Sequence, residues 1–388
     1  MAVKFTKPEI NVREKLAELD KPSGIAGEAM LRAETPQEQQ ALIGVGRRNL
    51  IINGGMVFSQ RNGTSAITLN TQGSIIFDFD RWSRQIYQAG KLTLQQVTDA
   101  PSGFSYSIKA TTVSAITGGG ADYYQFNQPI EGFNTAHLAY GTSSARTTTL
   151  SFWVKSTLTG QWSGAIKNSA GNRAYTFPYY INSPSTWEYK TVTIPGDTSG
   201  TWIGSTNGTG VRLLYDLGTS RTDLHGTLNS WTATNSYASS TGVKLVQNAS
   251  ATWQITGVQL EVGKVATPFE QRSYGEELAL CQRYYQRHGG GTYCGIAMTQ
   301  VYNNTSQMFS FLFPVKMRAA PSFGFSNLIV TDRLVYDSDV TALTPQGTSD
   351  NGVQIKTTNA SNAGSARQAA QLAVKNGTTG YIEFKAEL

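Results

Sequence analysis

Ser74-Ile75-Ile76-Phe77-Asp78-Phe79-Asp80-Arg81-Trp82 decides the fold class. Isoleucine, phenylalanine and tryptophan favour a pleated, half-buried backbone, so the run predicts a strand. Strand alternation would put Asp78 and Asp80 on one face. Working upstream, Leu50-Ile51-Ile52 is a buried run closed by Asn53-Gly54-Gly55, and Met56-Val57-Phe58 precedes a turn at Asn62-Gly63. Downstream, strand-like segments of four to nine residues alternate with Gly/Asn/Ser/Pro turns: Leu94–Val97, Tyr106–Thr112, Thr147–Val154, Tyr189–Ile194, Val211–Tyr215, Val243–Val246 and Trp253–Glu261. About ten short strands with frequent turn signals predict a sandwich or jelly roll. No βαβ alternation appears, which argues against a parallel sheet.

Two regions break the pattern. Residues 1–48 carry 15 of the chain's 58 charged residues. Asn11 and Glu14 fit a capping box before Val12, Leu16 and Leu19 at helical spacing. Thr35 as N-cap, Pro36 at the first helical position and Glu38 start a second helix through Leu42 and Ile43. Helices this short do not bury their apolar faces unaided, so 1–48 is expected to be an arm that docks on a larger assembly or on sister chains. The alternative is an extension folded back on its own domain. The second break, Tyr274–Arg287, carries a stripe of Leu278, Cys281, Tyr284 and Tyr285 and predicts a linking helix. Strands resume to the C-terminus, with Asn376–Gly380 read as a hairpin loop between the last two. The expected architecture is mainly β: an N-terminal helical arm (1–48), a jelly-roll β-sandwich (49–272), a helical linker (273–290) and a C-terminal β-sandwich domain (291–388).

Composition narrows the function. Charged residues are only 15% against 39% hydrophobic, and the 39 glycines suit tight turns. The net charge of +6 is not clustered; the longest basic run is Arg47-Arg48. That excludes a nucleic-acid stripe. Two cysteines, Cys281 and Cys294, and three histidines are too few for a structural zinc site. Free thiols in a reducing cytoplasm are expected, with a disulfide across a hairpin as the alternative. No apolar stretch of 18 residues spans a membrane, and no secretory signal is read at the start. The expectation is a soluble cytoplasmic product that reaches the outside by lysis.

An ordered series of motifs now resembles a known family. Asn49-Leu50-Ile51-Ile52-Asn53-Gly54, Ser59-Gln60-Arg61, Asp80-Arg81-Trp82, Thr98–Phe104, Ile130-Glu131-Gly132 and Thr149–Ser156 are similar to a domain of bacteriophage tail-fibre and other virion proteins. Ile255–Gly263 and Ala266–Glu270 resemble its closing strand, Ser273–Tyr285 its connector, and Phe313–Pro321 the start of the C-terminal β domain. The likeness covers roughly residues 49–325. It implies a jelly roll like carbohydrate-binding modules on a virion appendage; together with the short helices of 1–48, which need partners, it points to a homotrimer, and the arm itself is expected to dock on tail or capsid proteins. It carries no mapped sugar site. Jelly rolls of this kind often hold calcium, so a structural Ca²⁺ at Asp78 and Asp80, with Asp99, is the one cofactor left open.

Sugar rings stack on aromatic faces and hydrogen-bond to polar neighbours. On that chemistry the candidates for contact with a host glycan are Tyr123, Tyr124, Trp162, Tyr179, Tyr180 and Trp202, with Tyr175 and Trp231 nearby in sequence. Trp82, Trp153 and Trp253 lie within strand patterns and are expected in the core. For the aromatic set as a whole, packing or chain–chain contact is the simpler reading. No GxSxG elbow, P-loop or HExxH occurs. The expectation is a non-enzymatic tail-fibre or attachment subunit. A capsid fibre, decoration or other architectural virion protein is the second reading, and a glycan depolymerase the third.

Overall fold

The computed structural model describes residues 47–303, 305–332, 337–361 and 369–388. The two predicted N-terminal helices, with Val12, Leu16, Leu19, Leu42 and Ile43, lie outside the described residues. The segment from Met1 to Arg48 is a unit distinct from Asn49–Leu388. Among the described residues, the chain is mainly β, with 22 strands and one α-helix.

The first half holds β1 (Ile67–Thr68), β2 (Ile76–Phe79), β3 (Trp82–Ile86), β4 (Leu92–Val97), β5 (Ser107–Thr112), β6 (Tyr124–Glu131) and β7 (Thr148–Ser156). It continues with β8 (Gly160–Lys167), β9 (Ala174–Ile181), β10 (Glu188–Ile194), β11 (Thr209–Asp216), β12 (Ser230–Thr232) and β13 (Thr252–Val262). They form two antiparallel sheets, six-stranded β1-β4-β5-β13-β7-β10 and seven-stranded β12-β9-β8-β11-β6-β3-β2. The expected sandwich is present. Alternation sends Leu94, Ala110, Trp253, Phe152 and Val154 inward from one sheet and Phe126, Tyr215, Trp162, Phe177 and Tyr179 inward from the other. The aromatic centre is tight: Trp82 stacks on Phe126 at 4.9 Å, and the buried Trp253 indole N–H donates to Tyr179 Oη at 3.1 Å.

Helix α1 (Tyr274–Gln282) starts where the sequence places it. The Ser273 hydroxyl accepts from the Glu276 N–H at 3.3 Å, and two acids occupy the first turn. It stops five residues short of the predicted Arg287, because Tyr285 enters β14 (Tyr285–Gly289). Leu278, Cys281 and Tyr284 from the predicted stripe pack on Ile52 and Phe58. Cys281 is buried and Cys294 exposed, both unpaired. The C-terminal β domain continues with β15 (Gly295–Asn303), β16 (Ser306–Leu312), β17 (Ser322–Ser326), β18 (Leu328–Thr331), β19 (Asp337–Thr348), β20 (Gly352–Asn359), β21 (Ala369–Val374) and β22 (Tyr381–Lys385). Strands β15-β16-β20-β19-β18-β21 close into a barrel beside the three-stranded sheet β14-β22-β17. The predicted hairpin between the last two strands does not form. The turn is there, with Gly377 at φ +70, but β21 joins the barrel while β22 pairs β14 and β17. Gly380 lies so close to the Asn327 carbonyl that a Cβ would sit 2.4 Å from it, and its own carbonyl accepts from Gly290.

A buried ionic network joins the sandwich to the α1–β14 segment and the tail after β22. The Arg81 side chain is 1% exposed; it donates to Glu387 Oε2 and the Pro129 carbonyl, each at 2.5 Å, and lies 3.6 Å over the Tyr284 ring. Arg61 reaches the other Glu387 oxygen at 2.8 Å and lies 3.6 Å over Tyr285. Glu131 accepts from Arg283 Nη2 at 2.6 Å and from the Tyr284 hydroxyl at 2.5 Å. Burial alone would raise the Glu131 pKa; the Arg283 and Tyr284 hydrogen bonds outweigh it and hold it below the usual range. Arg318 donates to the carbonyls of Asn207, Ala386 and Glu387. At the N-terminal edge, Asn49 Nδ2 donates to the Val258 carbonyl, and its Oδ1 accepts from Leu260 N–H, both at 3.0 Å.

Candidate functional site

The two outer faces of the sandwich differ. On the seven-stranded sheet the outward row Ser83, Asn127, Leu214, Ala165 and Thr176 is buried throughout. Over β8, β9 and β11 the cover is the chain itself: Leu224, Tyr237 and Ala238 pack on Ala165 and Leu214 in a second small core. Asn235 accepts from the Lys167 ammonium, and burial beside Arg212 lowers that pKa to about 8.

The outer face of the six-stranded sheet is open. In register across it run Gln95 on β4, Lys109 on β5, Gln254 on β13 and Lys155 on β7. The next row on the same face carries Trp153 on β7 and Tyr189 on β10, paired directly, with rings 5.3 Å apart and tilted by 49°. Tyr189 is 43% exposed. Trp187, one residue before β10, completes the set: Lys155 Nζ lies 5.0 Å over its ring. Asp99, in the loop after β4, ties the rows together. It accepts from Trp187 Nε1 at 3.3 Å, from Gln254 Nε2 at 3.2 Å and from Lys155 Nζ. Partial burial raises its pKa, but hydrogen bonds from Lys155, Trp187 and Gln254 and the Lys155 charge outweigh this and lower it. Half of the Asp99 side chain remains exposed, so it stays an anionic acceptor facing solvent. Three aromatic side chains, two cations, an anion and the Gln95 amide thus share one surface, above the buried Gln254 amide. Steps of ~4.8 Å between strands make the row long enough for a short oligosaccharide.

Trp153 was expected in the core and is half-buried on this outer face. Phe152 and Val154 take the inward positions, so period two turns Trp153 outward. Trp82 and Trp253 are core as expected. Among the predicted contact residues, Tyr124, Trp162 and Tyr179 are corrected: all three point inward and are buried in the sandwich, with no ring face left for a ligand. Tyr180, one residue from Tyr179, is 53% exposed, and its hydroxyl donates to Gln161 at 3.0 Å. Tyr123 meets the exposed Tyr87 edge-on at 5.5 Å. Trp202 joins Trp231 and Tyr140, with rings 5.0–5.8 Å apart. Their indole N–H groups are spent on Asp197 and Ser199 and on the Pro195 carbonyl, and Arg173 pairs with Asp197. The cavity beside Tyr140 and Trp202 is about 40 Å³, far below the volume of a small-ligand pocket.

The predicted metal ligands are placed differently from the strand reading. β2 ends at Phe79, and Asp80-Arg81 is the tight turn to β3, with Arg81 at φ +68. Asp78 pairs with Arg84 at 3.0 Å, while Asp80 accepts from Gln60 N–H at 2.7 Å and from its side chain. Burial raises both carboxyl pKa values, and their cationic and hydrogen-bonding neighbours only partly offset it. Among the described residues, no group of three His, Cys, Asp or Glu side chains is arranged to hold a metal ion.

No protein-family model matches the chain, and no curated protein matches it. Among solved structures, it is similar to the enzymatically active domain of tailspike protein 4 of bacteriophage CBA120, at 15% identity and a TM-score of 0.31. That overlap takes in 55% of this chain and 21% of the tailspike chain. It is also similar to a putative sugar binding protein from Bacteroides thetaiotaomicron, at 11% identity and a TM-score of 0.31 over 56% of this chain and 100% of that one. A third is TmCBM61 in complex with beta-1,4-galactotriose, at 10% identity and a TM-score of 0.29 over 56% and 100%.

Proposed function

We propose that this chain is a non-enzymatic structural subunit of a bacteriophage particle, a tail-fibre or other host-attachment appendage, that contacts surface glycan through the outer face of its six-stranded sheet. The observation that carries the reading is the Trp153–Trp187–Tyr189 group around Asp99. It offers exposed ring area and both hydrogen-bonding polarities on the open side of a sandwich. The ordered motif series supports the virion role. In this reading the chain is a homotrimer, assembled in the host cytoplasm and released by lysis, with residues 1–48 joining it to other virion proteins. Three weak contacts on one stalk then act together. Glycan cleavage uses a pair of carboxyl groups; Asp99 is instead surrounded by donors and ionised, which suits binding rather than proton transfer. The test is competition: the purified protein should block adsorption of the phage that encodes it to host cells. It should sediment as a trimer and release no new reducing ends from host polysaccharide. A monomer that leaves adsorption unchanged overturns the reading.

One observation favours a purely architectural role. Arg61, Arg81, Glu131, Arg283 and Tyr284, all within the motif series, hold the sandwich to the segment after it and to the C-terminal end of the chain rather than facing solvent. Density for the chain on the capsid of an intact particle would decide for that role.

A further inference from the structure

We infer that the groove between the sandwich and the three-stranded sheet β14-β22-β17 is a second ligand site, for the acidic residue of a carboxylated saccharide. The groove has a volume of about 410 Å³, within the range of small-ligand pockets. One wall is Ile75, Ile76 and Phe77, at the start of β2, with Ile75 37% exposed. The facing wall comes from the other domain: Arg287 on β14, and Tyr381 and Lys385 on β22.

The charges in the groove are not balanced in kind. Both acids are already engaged. Glu387 holds Arg61 and Arg81, and Glu383 accepts from the Tyr285 hydroxyl at 2.7 Å and pairs with Lys385 at 2.5 Å. Arg287 has no acid. One of its terminal nitrogens donates to the carbonyls of Gln60 and Arg61, at 3.1 and 2.6 Å, and its guanidinium lies 3.8 Å over the Tyr381 ring. Those contacts fix the plane of the fork and leave its other edge for a ligand carboxylate, the geometry guanidinium groups recognise best. A pyranose carrying that carboxylate has an apolar ring face to lay against Phe77. A neutral sugar would leave Arg287 unanswered, and a bare inorganic anion would leave the apolar wall unused. Glu387, which lines the groove, is held by both Arg61 and Arg81, so that part of the wall is fixed before a ligand arrives.

From the preceding proposal this inference takes only the saccharide class of ligand. Its test is titration calorimetry on the full chain with digalacturonate, glucuronic acid and N-acetylneuraminic acid, against galactobiose and inorganic phosphate. At least one acidic saccharide should bind, and galactobiose should bind at least about tenfold more weakly. R287Q should weaken the acidic ligand by about tenfold or more. K385Q, at a half-exposed position, gives a second reading should R287Q fail to fold. W187A, on the other face of the sandwich, should leave this binding unchanged even if the proposed glycan surface is wrong. The inference is overturned if no acidic saccharide binds, if galactobiose or phosphate binds equally well, or if neither groove variant changes the affinity.

Discussion

Replacing Arg81 with methionine removes the central cation of the junction between the sandwich and the C-terminal domain. The variant keeps most of the volume but loses the 2.5 Å bond to Glu387, the 2.5 Å bond to the Pro129 carbonyl and the stacking over Tyr284. Breaking one arm of a buried pair costs about 3–5 kcal/mol. Glu387 keeps Arg61 at 2.8 Å, so the lower end, about 3 kcal/mol, applies. Roughly 340 residues from Asn49 to Leu388, at about 2.1 cal/mol/K each, give an unfolding entropy near 0.7 kcal/mol/K. The expected fall in Tm is therefore about 4 °C if both domains unfold together. Differential scanning calorimetry reads this directly, and loss of coupling would also split the endotherm into two. An endotherm that stays single and shifts by less than about 1 °C would refute the claim that this network holds the two domains as one body.

Three further outcomes are expected. Glu131→Gln should cost about 2 kcal/mol at neutral pH. Because the folded pKa is lowered, the difference from wild type is full above the unfolded value of 4.5 and fades as pH falls through the folded pKa, which urea melts at several pH values would show. Lys167→Met should remove a pH dependence: with its pKa lowered from 10.5 to about 8, wild type gains stability relative to the variant as pH rises across that interval, by at most about 3 kcal/mol. Gly257→Ala should destabilise by about 2 kcal/mol in chemical denaturation, since φ is +61 and the new Cβ would lie 2.7 Å from Phe104 and 3.1 Å from Trp153.

The sandwich was legible in the sequence because its strands alternate strictly and its turns are marked by Gly and Asn. Thr147–Val154 reads as a strand and is one, with Leu150, Phe152 and Val154 as its inward row. The same alternation turns Trp153 outward, although its aromatic character alone argues for the core. Tyr124, Trp162 and Tyr179 carry rings on which a sugar could stack, but each sits at an inward position of β6, β8 or β9. Asp80 could not be placed from spacing alone, because a two-residue turn with a left-handed Arg81 replaces the expected continuation of the strand. The closed barrel and the separate partners of β21 and β22 rest on pairings between strands distant in sequence, which local patterns do not encode. The contact surface was hidden in the same way: Asp99, Lys155, Trp187 and Gln254 come from four separate segments that only the sheet register brings together.

The central claim is that glycan contact occurs on the open face of the six-stranded sheet, and a glycan array probed with wild type and with the double variant W187A/Y189A tests it most directly. Loss of an exposed stacking ring is worth about 1 kcal/mol or more, so every oligosaccharide that wild type retains on this face should drop by about tenfold in the variant. An array on which wild type binds nothing, or on which the double variant binds the same glycans with undiminished signal, would contradict it.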